Sequence, residues 1–154
     1  MSFSYVLTNE KNQDFINLVK ELWDEYYENT GCIVDKYQKI NTLEGEHFVI
    51  LVFDEETKNN LPIACGSFKE CFLDVVEIKR VFVKKDYRGK GLATLIMEKL
   101  EKEAKKRDYS FSILVTGVNN HSSQSLYKKL DYEKIEGFGF YKGDPDSISM
   151  GKKL

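Results

Sequence analysis

Hydrophobic residues along this chain change their spacing several times, and each change predicts a secondary-structure element. Between Asn9 and Glu28 apolar and aromatic side chains recur at steps of three and four residues, which predicts a helix with one buried face. A second amphipathic helix starts at residue 92, with Leu92, Leu95, Ile96 and Leu100 as its buried stripe. Shorter apolar or alternating runs predict strands at residues 3–8, 47–53, 62–68, 75–83 and 111–116, and residues 122–130 form a third helix.

The order of these elements predicts the fold class. The first strands follow one another through turns, which favours antiparallel hairpins, and the later strands are joined through helices. We therefore expect an α+β fold with a mixed, mostly antiparallel central sheet and flanking helices. Gly31 is expected to end the first helix, residues 32–46 stay ambiguous, and residues 132–153 add strands around a loop at 137–146. Residues 1–154 lack a Gly/Ser-rich linker and form one domain in this interpretation.

The predicted strand at 75–83 breaks its own alternation. Val76 and Ile78 share one parity, whereas Val81 and Val83 share the opposite one. A β-bulge near Lys79-Arg80 would return both pairs to one face of the sheet. Because a bulge also leaves backbone groups unpaired, the pattern indicates a ligand groove beside this strand.

Composition narrows the class of protein. A formal net charge of −2 provides no general attraction to nucleic acid or to an anionic membrane. The N-terminus is too polar for a signal peptide, and no apolar run approaches the length of a membrane span. Three cysteines without C-x-x-C spacing favour reduced thiols. We expect a cytoplasmic protein with neither a nucleic-acid nor a membrane partner, and a monomer or homodimer.

A basic, glycine-rich turn separates the strand at 75–83 from the second helix. The turn reads Arg88-Gly89-Lys90-Gly91-Leu92-Ala93. Glycines let backbone N–H groups approach a ligand, and the first helical turn adds further unpaired donors, so this arrangement suits a pyrophosphate. The phosphate loop of nucleoside triphosphatases does not match, because Gly91 follows the Gly-Lys pair, and the dinucleotide fingerprint lacks its last glycine at Thr94.

The turn resembles the acetyl-CoA motif of GNAT-type N-acetyltransferases, R/Q-x-x-G-x-G/A, with Arg88, Gly91 and Ala93 at its defined positions. Residues 120–132 are similar to that family's second signature, N-x-x-A-x-x-L-Y-x-x-x-G-F, although Ser123 replaces the alanine and Asp131 the glycine. The resemblance implies a GNAT-like sheet whose two parallel strands splay to hold acetyl-CoA as cosubstrate, without a metal. It implies cofactor contacts at Val81, Phe82, Val83, Arg88, Gly89, Lys90, Gly91, Leu92, Ala93 and Asn120.

The resemblance also assigns the family's acid tyrosine to Tyr127, and the chemistry of the residue agrees. A phenol stays protonated near neutral pH, so it can donate a proton to a departing thiolate. Glu77 is the candidate base, because a carboxylate on the splayed strand can take the amine proton directly or through water. Without the motif, the spacing of Tyr127 favours a core tyrosine, and Glu77 is equally consistent with an exposed strand charge.

The acceptor has the weakest sequence signal. The family fold brings the end of the first helix and the late loop to the acceptor groove, which suggests Glu25, Tyr26, Glu28 and Phe140 as contacts for a cationic amine. We expect a small-molecule primary amine, with a protein N-terminus or an aminoglycoside as alternatives. A non-catalytic acetyl-CoA-binding or protein-interaction module is the alternative to an enzyme.

Overall fold

The computed structural model describes residues 2–30 and 45–154. Within these residues the strands are β1 (Phe3–Asn9), β2 (Phe48–Asp54), β3 (Leu61–Phe72), β4 (Val75–Val83), β5 (Phe111–Gly117), β6 (Glu133–Ile135) and β7 (Ser147–Lys153). The α-helices of the same residues are α1 (Gln13–Thr30), α2 (Leu92–Lys106) and α3 (His121–Lys129).

These strands form one sheet in the order β1-β2-β3-β4-β5-β7-β6. Strands β1 to β4 pair antiparallel with their neighbours, β5 pairs antiparallel with β7, and β7 with β6. The pair β4–β5 is parallel. The predicted α+β class with a mixed, mostly antiparallel sheet is therefore confirmed. Gly31, Cys32 and the ambiguous residues up to 44 lie outside the described residues.

Two element boundaries differ from the prediction. Helix α1 begins at Gln13 rather than Asn9, because β1 continues to Asn9 and the Asn12 side chain caps the helix. Oδ1 of Asn12 accepts hydrogen bonds from the backbone N–H groups of Asp14, at 2.9 Å, and Phe15, at 3.3 Å. Strand β3 runs to Phe72 instead of residue 68, since its pairing with β4 continues to the end of the hairpin.

Two apolar clusters pack on the sheet. The predicted stripe of α1 contributes Phe15, Leu18, Val19 and Leu22, which pack with residues of β2, β3 and β4. The other cluster contains the buried residues of α2 and extends to Tyr127 and Tyr132. A side chain at Gly66 on β3 would collide with Ile96, so this glycine lets α2 lie close to the sheet. No helix of the described residues is long and apolar enough to cross a membrane.

The predicted bulge in β4 is confirmed. Cys65 lies opposite Phe82 and Ser67 opposite Lys79, which leaves one extra residue on β4. Arg80 takes up the irregularity with a left-handed backbone angle, φ = +60°. Beyond the bulge, Val81 and Val83 pack against the cluster that contains Val76 and Ile78, as the parity argument requires.

Strands β4 and β5 stay together over a short distance. Their parallel pairing runs from Val75–Phe111 to Glu77–Ile113 and then stops, although both strands continue. A wedge therefore opens between Ile78–Val83 of β4 and Leu114–Gly117 of β5. This splay determines where a ligand can enter the sheet.

Candidate active site

A cavity of about 200 Å³ lies in the wedge between β4 and β5. Helix α1 contributes Leu22, Trp23 and Tyr26, so the last part of its apolar face lines this cavity rather than only the core. The remaining walls come from β4, β5, α3 and the loop that precedes β7. The cavity thus combines apolar and aromatic walls with a small number of polar and charged groups.

Tyr127 lies on α3 and reaches the cavity from the side of β5. Its side chain is 8% exposed, and its ring meets Tyr132 edge to face with the centroids 6.0 Å apart. Among the described residues its hydroxyl has no hydrogen-bond partner, and the residue lines the cavity. Burial raises the pKa of the Tyr127 phenol above its ordinary value. The hydroxyl therefore keeps its proton at neutral pH and can donate it to a ligand.

Helix α3 is held at the end of β5 by two side chains. Oδ1 of Asn120 accepts a 3.2 Å hydrogen bond from the backbone N–H of Ser123, so Asn120 caps the helix. Nε2 of Gln124 donates to the carbonyls of Gly117, at 2.9 Å, and Val118, at 3.0 Å. These contacts set the position of Tyr127 relative to the wedge. A contact between Asn120 and the cosubstrate stays a prediction.

Glu77 is the last residue of β4 that pairs with β5, and it lines the cavity with 6% of its surface exposed. Oε2 of Glu77 lies 3.9 Å from Nζ of Lys79. Burial lowers the pKa of Lys79 to about 8, against the opposing effect of the Glu77 carboxylate. Glu77, the predicted base, thus lies at the narrow end of the wedge.

Arg80 also lines the cavity, although it is adjacent to Lys79 in the strand. Its guanidinium carbon lies 5.9 Å from the centre of the Trp23 ring, within cation–π range. Cys65 Sγ donates to the Arg80 carbonyl at 3.3 Å, and Ser67 Oγ donates to the Lys79 carbonyl at 2.8 Å. The two carbonyls at the bulge therefore bond to side chains of β3, which holds the irregular backbone in place.

The predicted pyrophosphate loop directly precedes the N-terminus of α2. Gly89 and Gly91 both have φ = +78°, the left-handed conformation that glycine adopts without a steric penalty. Gly91 is the residue before the helix, and no side chain caps the backbone N–H groups of the first turn. Arg88 and Lys90 are exposed. The loop thus offers backbone donors, a helix N-terminus and positive charge to an anionic ligand.

The four acceptor residues predicted from the sequence have different surroundings. Tyr26 lines the cavity. Glu25 accepts a 2.6 Å hydrogen bond from Nη2 of Arg88, so it contacts the pyrophosphate loop. Glu28 is exposed, and Phe140 is 52% exposed; neither is among the described residues that line the cavity. Acceptor contacts of Glu28 and Phe140 stay predictions.

Sequence reasoning missed several residues of the cavity wall. These are Trp23, Lys79, Arg80, Thr116, Tyr141 and Asp146. Two consecutive basic residues in a mostly apolar strand were a signal that could have found Lys79 and Arg80. Tyr141 is adjacent to Phe140, the residue predicted from the sequence. Which of the two side chains lines the cavity depends on the backbone path of their loop. In residues 2–30 and 45–154, no three His, Cys, Asp or Glu side chains cluster as metal ligands would.

Comparisons with known proteins agree with this geometry. The sequence model described as "Acetyltransferase (GNAT) family" matches residues 13–132. The chain is 33% identical over 92 residues to the N-acetyltransferase YsnE of Bacillus subtilis, covering 58% of this chain and 61% of that protein. It is 36% identical over 78 residues to the IAA acetyltransferase of Azospirillum brasilense, covering 51% of each. The chain thus spans between half and two thirds of these relatives.

Among solved structures, the PaiA N-acetyltransferase of Thermoplasma acidophilum, crystallised in complex with coenzyme A, superposes with a TM-score of 0.74. The superposition covers 100% of both chains at 19% sequence identity. An acetyltransferase of the GNAT family from Staphylococcus aureus superposes with a TM-score of 0.75 at 15% identity, covering 99% of both chains. At these identities the superpositions establish a shared fold.

Proposed function

This chain belongs to the GNAT acetyltransferase family, and we propose that it transfers the acetyl group of acetyl-CoA to a primary amine. The observation that carries the proposal is the wedge between β4 and β5. Strand β4, one side of the wedge, leads along the chain into the glycine loop at the start of α2, and the walls of the wedge hold a buried phenol and a buried carboxylate. A CoA-bound relative of the same fold, the PaiA enzyme, supports this choice of cosubstrate.

The residues present fit acetyl-CoA. The backbone N–H groups around Gly91 and the first turn of α2, with Arg88 and Lys90, would hold the pyrophosphate. The open edge of β4 at Val81–Val83 would hold the extended arm, because the ladder to β5 has ended before these residues. When bound, acetyl-CoA supplies an activated thioester carbonyl. Asn120 and the tip of α3 lie at the other side of the wedge.

Tyr127 and Glu77 then have complementary roles. The amine nitrogen forms a bond to the acetyl carbon, and the bond from that carbon to sulfur breaks. Tyr127 donates its phenolic proton to the departing sulfur and recovers one from solvent afterwards. Glu77 takes the proton that the amine loses, directly or through a water. The raised pKa of Tyr127 supports its role as the acid, because the phenol stays protonated at neutral pH.

The proposal is tested by two measurements on the same protein. Isothermal calorimetry should show one CoA site per chain, and release of free thiol from acetyl-CoA should require an amine. Binding without thiol release for any amine or peptide in a broad panel would favour a CoA-binding module instead of an enzyme. Absence of CoA binding would refute the assignment of the wedge.

A further inference from the structure

The cavity holds two adjacent cationic side chains, and the bulge explains how both can be there. Consecutive residues of a regular strand point to opposite faces of the sheet. Lys79 and Arg80 both line the cavity, because the extra residue and the left-handed φ of +60° at Arg80 break the alternation. A non-glycine residue in this conformation is strained, and such residues concentrate at functional sites. The backbone thus bears strain at the point where it brings Arg80 to the cavity.

Both cations are buried. Lys79 is 9% exposed and Arg80 is 7% exposed. Glu77 lies 3.9 Å from Lys79, so β4 brings two positive charges and one negative charge to the cavity. Asp146 adds a second carboxylate from the loop before β7, on an only partly buried residue. A buried guanidinium is costly to desolvate unless anionic or hydrogen-bonding groups surround it.

The rest of the cavity limits the size and polarity of its ligand. Leu22, Trp23, Tyr26 and Leu114 form apolar and aromatic walls. A volume of about 200 Å³ accommodates a group about the size of one amino acid. Charges of both signs stand in this small space, with Glu77 and Arg80 three residues apart on the same strand.

We propose that the acceptor is a small amino acid-like molecule, with its carboxylate bound by Arg80 and Lys79 and its amine directed to Glu77 and Tyr127. The inference rests on the acetyl transfer proposed above and specifies its acceptor. A guanidinium binds a carboxylate through two parallel hydrogen bonds, which sets orientation as well as charge. An amine without an anionic group cannot make this contact with Arg80, and a dication such as a diamine is repelled by it.

Matched acceptors test the inference on the unmodified protein. Leucine, phenylalanine and 4-aminobutyrate are each compared with the corresponding amide and with the amine that lacks the carboxylate. For at least one of the three series, kcat/KM for the acid should exceed that of the amide and the amine about tenfold to a hundredfold, the usual scale for a buried charged hydrogen bond. Equal or better turnover of the amides and amines in all three series would overturn the inference.

Variants assign the preference to Arg80. Arg80→Asn removes the charge with a residue that tolerates positive φ, and Arg80→Lys keeps the charge without the bidentate geometry. The preference for the acid should disappear in Arg80→Asn through a higher KM, and it should survive partly in Arg80→Lys. Arg107→Gln, at an exposed arginine paired with Glu103, is the control and should keep the full preference. Persistence of the preference in Arg80→Asn would refute the role of Arg80.

A binding measurement separates this inference from the proposed transfer. Each acid and its amide are titrated calorimetrically into the protein saturated with CoA, which requires no turnover. Tighter binding of one of the acids than of its amide supports the carboxylate site even if no acetyl transfer occurs. If no acid binds more tightly than its amide, including the case in which neither binds, the inference fails, whatever the enzyme acetylates.

Discussion

Nη2 of Arg88 donates a 2.6 Å hydrogen bond to Oε2 of Glu25, which ties the loop before α2 to the end of α1. The hydrogen bond raises the pKa of the Arg88 guanidinium, so this side chain is fully charged at any working pH. Nε of Arg88 also donates to the carbonyl of Val83 at 2.9 Å. A residue predicted from the sequence to bind the acceptor thus contacts one predicted to bind the cosubstrate.

This contact leads to opposite expectations for its two partners. Arg88→Gln should weaken CoA binding, measured by calorimetry, because a positive charge at the pyrophosphate is lost. Glu25→Gln should strengthen it slightly, by less than about fivefold, because an exposed ion pair contributes little and a carboxylate near the pyrophosphate repels it. Arg107→Gln is the matched control and should leave CoA affinity unchanged. Weaker binding in Glu25→Gln would show that Glu25 orients Arg88 instead of competing with the ligand.

Tyr127→Phe should lower kcat on the order of a hundredfold while CoA affinity stays the same, since a positioned acid is removed and no protein hydrogen bond within the described residues is lost. Tyr132→Phe is the informative counterpart. Its hydroxyl bonds to Ser112 at 2.8 Å and to Glu101 at 3.3 Å, so its loss should reduce stability rather than kcat. Steady-state rates and urea unfolding of both variants separate the two roles. Unchanged kcat in Tyr127→Phe would return that tyrosine to the core.

Glu77→Gln should reduce the rate most near neutral pH and least at alkaline pH. A glutamine cannot accept the proton of the amine, but an amine that is already neutral does not need a base. The rate profile of the variant should therefore shift to higher pH. Glu70→Gln, an exposed residue of the neighbouring strand, is the control. Superimposable profiles for Glu77→Gln and the unmodified protein would exclude Glu77 as the base.

The lowered pKa of Lys79 makes stability depend on pH in a defined direction. The pKa of Lys79 is about 8 in the folded protein, against an ordinary lysine value of 10.5 that applies to the unfolded chain. The unfolded chain therefore binds more protons between these two pH values. The free energy of unfolding should therefore rise across that window relative to Lys79→Met, and the difference should be flat below about pH 7. Urea unfolding at several pH values measures it, and the exposed Lys102→Met serves as control. A difference that is constant up to pH 10.5 would contradict the burial of this ammonium.

Local patterns predicted most of the architecture. The parity break between Ile78 and Val81 located the bulge, and the spacing of Phe15, Leu18 and Leu22 identified the buried face of α1. Both depend on neighbours in the sequence, whose side-chain directions are set by strand or helix geometry. The start of α1 was predicted four residues too early, because Asn9 belongs to β1 and Asn12 caps the helix.

The cavity wall was harder to predict, since it depends on contacts between distant residues. The family resemblance suggested Glu25 as an acceptor contact, and it held no sign that the Glu25 carboxylate bonds to Arg88, 63 residues further along the chain. Lys79 and Arg80 were seen only as the place of a bulge, and the consequence that both side chains enter one cavity requires the backbone angle at Arg80. The spacing of hydrophobic residues along a strand does not predict the φ angle of an individual residue such as Arg80.

Within the described residues the sheet has two parts, β1–β4 and β5–β7, and the strand pairing between them runs along a short seam from Val75–Phe111 to Glu77–Ile113. We expect the two parts to move relative to each other most easily at the gap, because their pairing ends at Glu77–Ile113. An extended arm of acetyl-CoA bonded to the open edge of β4, as proposed above, would add backbone hydrogen bonds at this gap. We therefore expect the sheet to be stiffer with the cosubstrate bound than without it.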